Sequence, residues 1–209
     1  MPMSLQKKIT LNEFEAIYGS AEPGKIMAAI TQVADILYPQ FKERKPGIIP
    51  VGVDQDPHIR LTRDIVRRLK DRKFFLPASI YHKYTPSLDG DIKMSKSKPE
   101  SCIELPEDIK LVKRKIKNAL SGGRDTLEEH RKLGAIMEKD MVFELMKQHL
   151  AEDDKELDKI YHEYKSGRMT SGELKEIACS KIEEFMNNFV KGVEQARRHI
   201  DKLNFVKFK

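Results

Sequence analysis

Apolar residues recur at three- and four-residue intervals in five stretches of the chain and cluster in two shorter ones. Ile26, Ile30, Val33 and Leu37 share one face between Pro23–Gly24 and Pro39, which predicts an amphipathic helix bounded by proline at both ends. Leu61, Ile65 and Leu69 share another face after Pro57, which predicts a second helix. Between them "GIIPVGVDQD" (Gly47–Asp56) reads as a short buried strand, weakened by Pro50, which cannot donate to a ladder. "FFLPASIY" (Phe74–Tyr81) is the second strand candidate. Strand, helix and strand in this order predict a parallel unit.

From Pro106 the texture is helical to the end. Ile109, Val112, Ile116 and Leu120 form one stripe, stopped by Gly122 and Gly123. Met141, Val142, Leu145, Met146, His149 and Leu150 form another. The longest runs through Leu174, Ala178, Ile182, Phe185, Phe189, Val193, Ala196 and Ile200, with Gly192 a tolerated defect. "AEDDKELDK" (Ala151–Lys159) suits either a loop or the exposed start of a helix. The expected organisation is an α/β part over residues 1–105 and an all-α part over residues 106–209, without internal repeats or a low-complexity linker.

Composition leaves that picture in place. With 209 residues, 39% hydrophobic and 34% charged, the chain suits one globular domain or two small ones, and its apolar runs are too short to span a bilayer. The formal charge of +6 is bunched: Arg60, Arg63, Arg67, Arg68, Lys70, Arg72 and Lys73 lie together, as do Lys110, Lys113, Arg114, Lys115 and Lys117. Such clusters suit a polyanionic partner, or are two solvated helix faces. Cys102 and Cys179 are too few and too far apart for a metal or disulfide framework, so no metal site is expected. The opening "MPMSLQKKIT" lacks the apolar core of a secretion signal, and a reduced, cytoplasmic setting is expected.

Two stretches invite phosphate chemistry. "GSAEPGKI" (Gly19–Ile26) has a Gly-x4-Gly-Lys frame, but Ile26 stands where a hydroxyl should ligate Mg²⁺ and Pro23 removes an amide from the loop; a helix start is the better reading. "DGDIKMSKSKPES" (Asp89–Ser101) is different. Its lysines follow a Gly90 turn, and ammonium groups on a hinged loop can take up charge that grows on phosphate oxygens. Met94 can turn its thioether either to a flat base or to the core.

"KMSKS" (Lys93–Ser97) matches the second signature of class I aminoacyl-tRNA synthetases. "VGVDQDPHIRLTRD" (Val51–Asp64) resembles the strand-to-helix turn of the tryptophan and tyrosine enzymes of that class. "SGGRDTLEEHRKLG" (Ser121–Gly134) is similar to the archaeal and eukaryotic tryptophanyl-tRNA synthetases. The resemblance implies the second half of a Rossmann-type parallel sheet, then an α-helical anticodon-binding domain, with ATP and its Mg²⁺, tryptophan and a tryptophan-specific tRNA as ligands. It assigns Lys93 and Lys96 to the leaving pyrophosphate, and Met94, Ser95 and Ser97 to the ATP loop. Gly52 and Asp54 fall to the ATP ribose, and Gln55 to the charged end of the amino acid. Gln32 aligns with the amino-acid pocket, although from the sequence alone an exposed glutamine is the better reading. Asp54 is alternatively a helix N-cap, and His58, where class members often carry His or an aromatic, has either a site role or a capping or packing one.

Arg124 and Asp125 match a base-reading pair at the anticodon, or else a helix stop followed by an Asp cap. Lys113, Arg114 and Lys117 are the expected phosphate contacts. None of the histidines forms the first class signature, His-Ile-Gly-His. The resemblance therefore implies a chain starting inside the catalytic domain: a split gene product, a truncated relative or an expressed fragment, inactive alone. It would form a homodimer or join a complementing half through apolar surface near Ile26, Ile48 and Val51. A non-catalytic tRNA-binding module and a tyrosine-type fragment are the alternatives.

Overall fold

The computed structural model describes residues 9–69 and 74–202. Lys70, Arg72 and Lys73 of the first basic cluster lie outside the described residues. The chain divides into two compact units, Met1–Tyr84 and Thr85–Lys209. That division falls before the change of texture at residue 105, because Leu88, ahead of the lysine loop, is buried in the core of the helical unit.

In the first unit, α1 (Leu11–Tyr18) starts at a reciprocal capping box between Thr10 and Glu13. Helix α2 (Pro23–Leu37) buries Ala29, Ile30, Val33 and Leu37, and α3 (Asp56–Arg68) buries Leu61, Ile65 and Val66. These residues and Phe14 form one apolar core. Strand β1 (Ile48–Gly52) pairs in parallel with β2 (Ala78–His82), Ile48 opposite Ala78 and Gly52 opposite His82.

The second strand starts later than its apolar run. The buried Gln40 side chain accepts from the Phe75 amide at 2.7 Å and donates to the Phe75 carbonyl at 3.2 Å, so that residue is withdrawn from the ladder. Neither strand is buried as a parallel strand usually is. Ile48 is 64% exposed and Ile80 60%, because the described sheet has two strands and an open face. Of the three apolar residues expected at the surface, Ile48 is exposed, whereas Ile26 and Val51 are half-buried.

In the second unit, α4 (Ile109–Asn118) is capped by the Asp108 side chain, and α5 (Leu127–Leu133) by Thr126. Helix α6 (Met141–Leu145) widens into a π turn over Met146–Leu150, and α7 (Asp154–Lys165) begins inside the acidic stretch. Helix α8 (Ser171–Arg197) starts at the Thr170–Glu173 capping box and packs Leu174, Ala178, Cys179, Ile182 and Met186 against the core. The rest of the expected stripe is less buried: Phe185 is exposed and Phe189 and Val193 half-buried, and Ile200, exposed, lies beyond the end of the helix. Lys115 also departs from the expected solvated face. It is buried, donating to the Cys102 carbonyl at 2.8 Å and paired with Glu107. Among the described residues no helix is long and apolar enough to cross a membrane.

Candidate active site and RNA-reading loop

The first unit gathers four of the expected residues where β1 ends and α3 begins. Gln32 on α2 donates through Nε2 to Gln55 Oε1 at 2.9 Å, and Gln55 Nε2 donates to Asp54 Oδ2 at 3.2 Å. The Asp54 carboxylate folds back over Gly52, where a Cβ would lie 2.6 Å from its Oδ1. A side chain at 52 would therefore push this carboxylate away. Asp54 is not a helix cap: α3 has no side-chain cap, and Gln55, not Asp54, occupies the capping position. Gln32 is half-buried with a partner, not a free surface amide.

His58 packs, its Nδ1 lying 2.9 Å from the Tyr18 hydroxyl and the rings 5.1 Å apart. Burial lowers the His58 pKa against the opposing pull of Asp54, and burial pushes Tyr18 up to about 12. The described members of the first basic cluster are spent on the fold. Arg63 holds the Pro77 carbonyl at 2.9 Å and Ser79 Oγ at 3.0 Å, while Arg60, Arg67 and Arg68 pair with Asp56, Asp64 and Glu13.

The lysine loop belongs to the second unit. Its base is a backbone clamp in which Leu88 N–H donates to the Ser101 carbonyl at 3.0 Å and Ser87 N–H to the Asp91 carbonyl at 2.9 Å. Gly90 turns the chain at φ 96°. Lys98 pairs with Asp91, at 2.5 Å, and faces Asp89 at 3.7 Å. Lys93 and Lys96 are exposed, and Lys96 pairs with no carboxylate among the described residues. Ser95 and Ser97 bond each other at 2.9 Å, whereas Met94 packs its side chain on the helical core. The loop thus presents charge at its tip and holds itself by its base. A cavity of about 520 Å³ at that base is lined by Lys98 and Lys115, not by the two tip lysines.

The Leu120 peptide joins this base to the start of α6: its N–H donates to the Leu88 carbonyl at 2.8 Å, and its carbonyl accepts from the Met141 amide at 3.1 Å. Next along the chain come Ser121–Gly122–Gly123, then the expected reading pair. Arg124 is half-buried and donates through Nε to the Gly134 carbonyl at 2.8 Å. Asp125 is exposed and does not cap α5; the Thr126 hydroxyl does, accepting from Glu129 N–H at 3.2 Å.

On the α4 face, Lys113 pairs with Glu183 at 2.7 Å, Arg114 with Glu100 at 3.2 Å and Lys117 with Glu176 at 2.9 Å. The residue that the sequence reading missed is Asp140, 1% exposed, whose carboxylate receives donors from three segments. Burial, and then the hydrogen bond to Asp140, push Tyr164 up to about 12. Among the described residues no group of three or more His, Cys, Asp or Glu could hold a metal ion.

A strand-to-helix turn with a folded carboxylate and, later in the chain, a lysine-tipped loop and a run of helices are the parts of a class I synthetase. The chain belongs to the tRNA synthetases class I (W and Y), the family pattern matching residues 26–187. Within that family it is 47% identical to the tryptophan–tRNA ligase of Methanocaldococcus jannaschii, over 94% of this chain and 55% of that protein. The crystal structure of the tryptophanyl-tRNA synthetase of Aeropyrum pernix superposes with a TM-score of 0.89 at 42% identity, over 94% of this chain and 55% of that one. The tyrosyl-tRNA synthetase of Aeropyrum pernix, at 21% identity and a TM-score of 0.70, shares the fold. The chain spans about half the length of the curated relatives it matches.

Proposed function

We propose that this chain carries the nucleotide-side turn, the signature loop and the RNA-reading helices of a tryptophan–tRNA ligase, working in the cytoplasm. In the first step a tryptophan carboxylate oxygen bonds to the α-phosphorus of magnesium-bound ATP. The bond to the bridging oxygen of the β-phosphate breaks, and pyrophosphate leaves with the electron pair. Lys93 and Lys96 meet the negative charge that grows on it, an interaction strongest in the transition state. Asp54 accepts from the ATP ribose hydroxyls, above the close backbone approach that Gly52 permits. Gln32 and Gln55 exchange their mutual hydrogen bond for the charged end of tryptophan. In the second step a terminal ribose hydroxyl of the tRNA attacks the acyl carbon, and AMP leaves.

The observation that carries this reading is the Gln32–Gln55–Asp54 chain at the carboxyl end of β1, where open α/β sheets bind ligands. The higher identity to tryptophan than to tyrosine enzymes supports the choice of amino acid. Asp125, exposed and relieved of capping duty, is available to accept from the exocyclic amine of an anticodon base. The ion pairs of Lys113, Arg114 and Lys117 are surface pairs worth about 0–1 kcal/mol each, weak enough for RNA phosphates to displace the glutamates.

The open apolar face of β1 and β2 supports association, either with a second copy or with a polypeptide bearing the first class signature. Light scattering across the micromolar range should show self-association; a strict monomer argues against it. The test of the chemistry is tryptophan-dependent exchange of pyrophosphate into ATP. The chain alone should show none, and mixing it with a polypeptide carrying His-Ile-Gly-His should restore exchange. In the mixture Lys96→Ala should lower the rate about 10²–10³-fold while tryptophan affinity changes little. Robust exchange by the chain alone would remove the need for a partner, and an unaffected Lys96→Ala rate would remove the role of the loop.

A further inference from the structure

We propose that Asp140 is the positioning residue of the RNA-reading loop, an inference that rests on the anticodon role proposed for Arg124 and Asp125. An aspartate that only caps a five-residue helix needs one acceptor bond, and Asp140 has that bond, from Phe143 N–H to Oδ1 at 2.8 Å. Its other oxygen is turned away from α6. Oδ2 accepts from the Tyr164 hydroxyl at 2.6 Å, the Gly122 amide at 2.8 Å and Ser121 Oγ at 3.4 Å. This carboxylate is 1% exposed, so each donor is held where no water competes.

Gly122 is gripped on both sides. Its amide goes to Asp140, and its carbonyl accepts from the Ile136 amide at 2.7 Å. A Cβ there would lie 2.2 Å from the Ile136 carbonyl oxygen, so the backbone fills the space that a side chain would need. Ser121 Oγ in turn accepts from Gly123 N–H at 3.2 Å and lies 3.2 Å from the Tyr164 hydroxyl, itself 2.8 Å from Ser171 Oγ. Residues 121–123 are thus fixed by one carboxylate and its tyrosine. The chain leaves them directly into Arg124, held by the Gly134 carbonyl, and exposed Asp125. Reading a base edge depends on a donor or acceptor standing at one place, and Asp140 supplies that placement without touching RNA.

The test is filter binding of the full 209-residue chain. The probes are transcripts of the tryptophan tRNA and of the same tRNA with its first anticodon base exchanged. The native protein should prefer the matched transcript by about ten- to a hundred-fold, the usual worth of a good base contact. Asp140→Asn keeps the volume but turns a donor toward existing donors. It should bring the preference close to one while binding of the exchanged transcript stays within about two-fold. Adding Asp125→Ala to that variant should cause no further loss, since both act on one contact.

If Asp140→Asn does not fold by circular dichroism, Tyr164→Phe and Ser121→Ala each remove one donor. Each should then lower the preference about two- to five-fold. Preference retained in the folded variants, while Asp125→Ala alone abolishes it, would overturn the positioning role. Equal loss on both transcripts would do the same, reducing Asp140 to support of the fold. A native protein without preference would overturn the anticodon reading itself, and this inference with it.

Discussion

The two units hold their candidate sites by opposite means. In the first, Gln32, Gln55 and Asp54 are half-buried or exposed and depend on one another through single side-chain hydrogen bonds of 2.9 and 3.2 Å. Such bonds contribute about 0.5–1.5 kcal/mol each, an amount a ligand can replace. In the second, the residues before Arg124 are set by a buried carboxylate with every donor satisfied, and no buried side-chain polar atom among the described residues lacks a partner. The first candidate site is held by bonds that a ligand could exchange, and the second is finished by folding. Removing a partner should therefore cost binding in the first unit and stability in the second.

The largest break in that contrast is expected at Asp140. Asp140→Ala leaves the Gly122 and Phe143 amides buried and unanswered and takes the carboxylate acceptor from Tyr164, and should cost about 3–5 kcal/mol in urea denaturation. A cost below about 1 kcal/mol would show that the second site is as loosely held as the first. Next is the alkaline limb, which both units share. Free tyrosine ionises near pH 10, whereas Tyr18 and Tyr164 keep their protons to about 12 when folded. The unfolded chain therefore loses protons first, and stability should fall as pH rises between those values. Hydrogen exchange followed by mass spectrometry reads each unit separately. Tyr18→Phe should flatten the decline in the first unit only, and Tyr164→Phe in the second only.

The acid side sharpens the comparison. The His58 pKa is lowered by burial, so an unfolded histidine takes a proton first and the first unit should weaken as pH drops below about 6.5. His58→Gln should flatten that slope. Smaller still is the cap: Thr126→Ala should cost about 1 kcal/mol, and Asp125→Ala should stay within about 0.5 kcal/mol. The reverse ranking would return Asp125 to a capping role. A similarly small stability change belongs to Gly52→Ala, where the added Cβ crowds the end of the Asp54 side chain and meets His82 Cε1 in ordinary contact at 3.7 Å. It should leave the fold within about 0.5 kcal/mol while weakening ATP binding in calorimetry of the complemented protein.

Periodicity carried the long helices α2, α3, α4 and α8, because each buries several residues of one stripe. It missed α1 and α5, whose buried residues are Phe14 and His130 alone. Their starts are written differently, as Thr10-x-x-Glu13 and Thr126-x-x-Glu129, the pattern that also opens α8 at Thr170-x-x-Glu173. The lysine loop and the turn at Gly52 were legible because their residues are neighbours in the chain. Asp140 was not, since its partners Gly122, Ser121 and Tyr164 are 18, 19 and 24 positions away. Lys115 looked like one more surface charge because nothing in a local window announces Glu107 and the Cys102 carbonyl closing over it.

The Leu120 peptide has a consequence for how this region can diverge. It ties the base of the lysine loop to the start of α6 through its own N–H and carbonyl, and its side chain is 44% exposed. The connection is written in the main chain and is therefore invisible to most point mutations. Only proline removes that N–H. The Leu120 side chain adds a second, weaker tie, since its Cδ2 lies against Gly90 at the loop base, 2.9 Å from where a Cβ on that glycine would stand. A saturation library there should reject proline most strongly, because every other residue keeps the N–H that the connection needs.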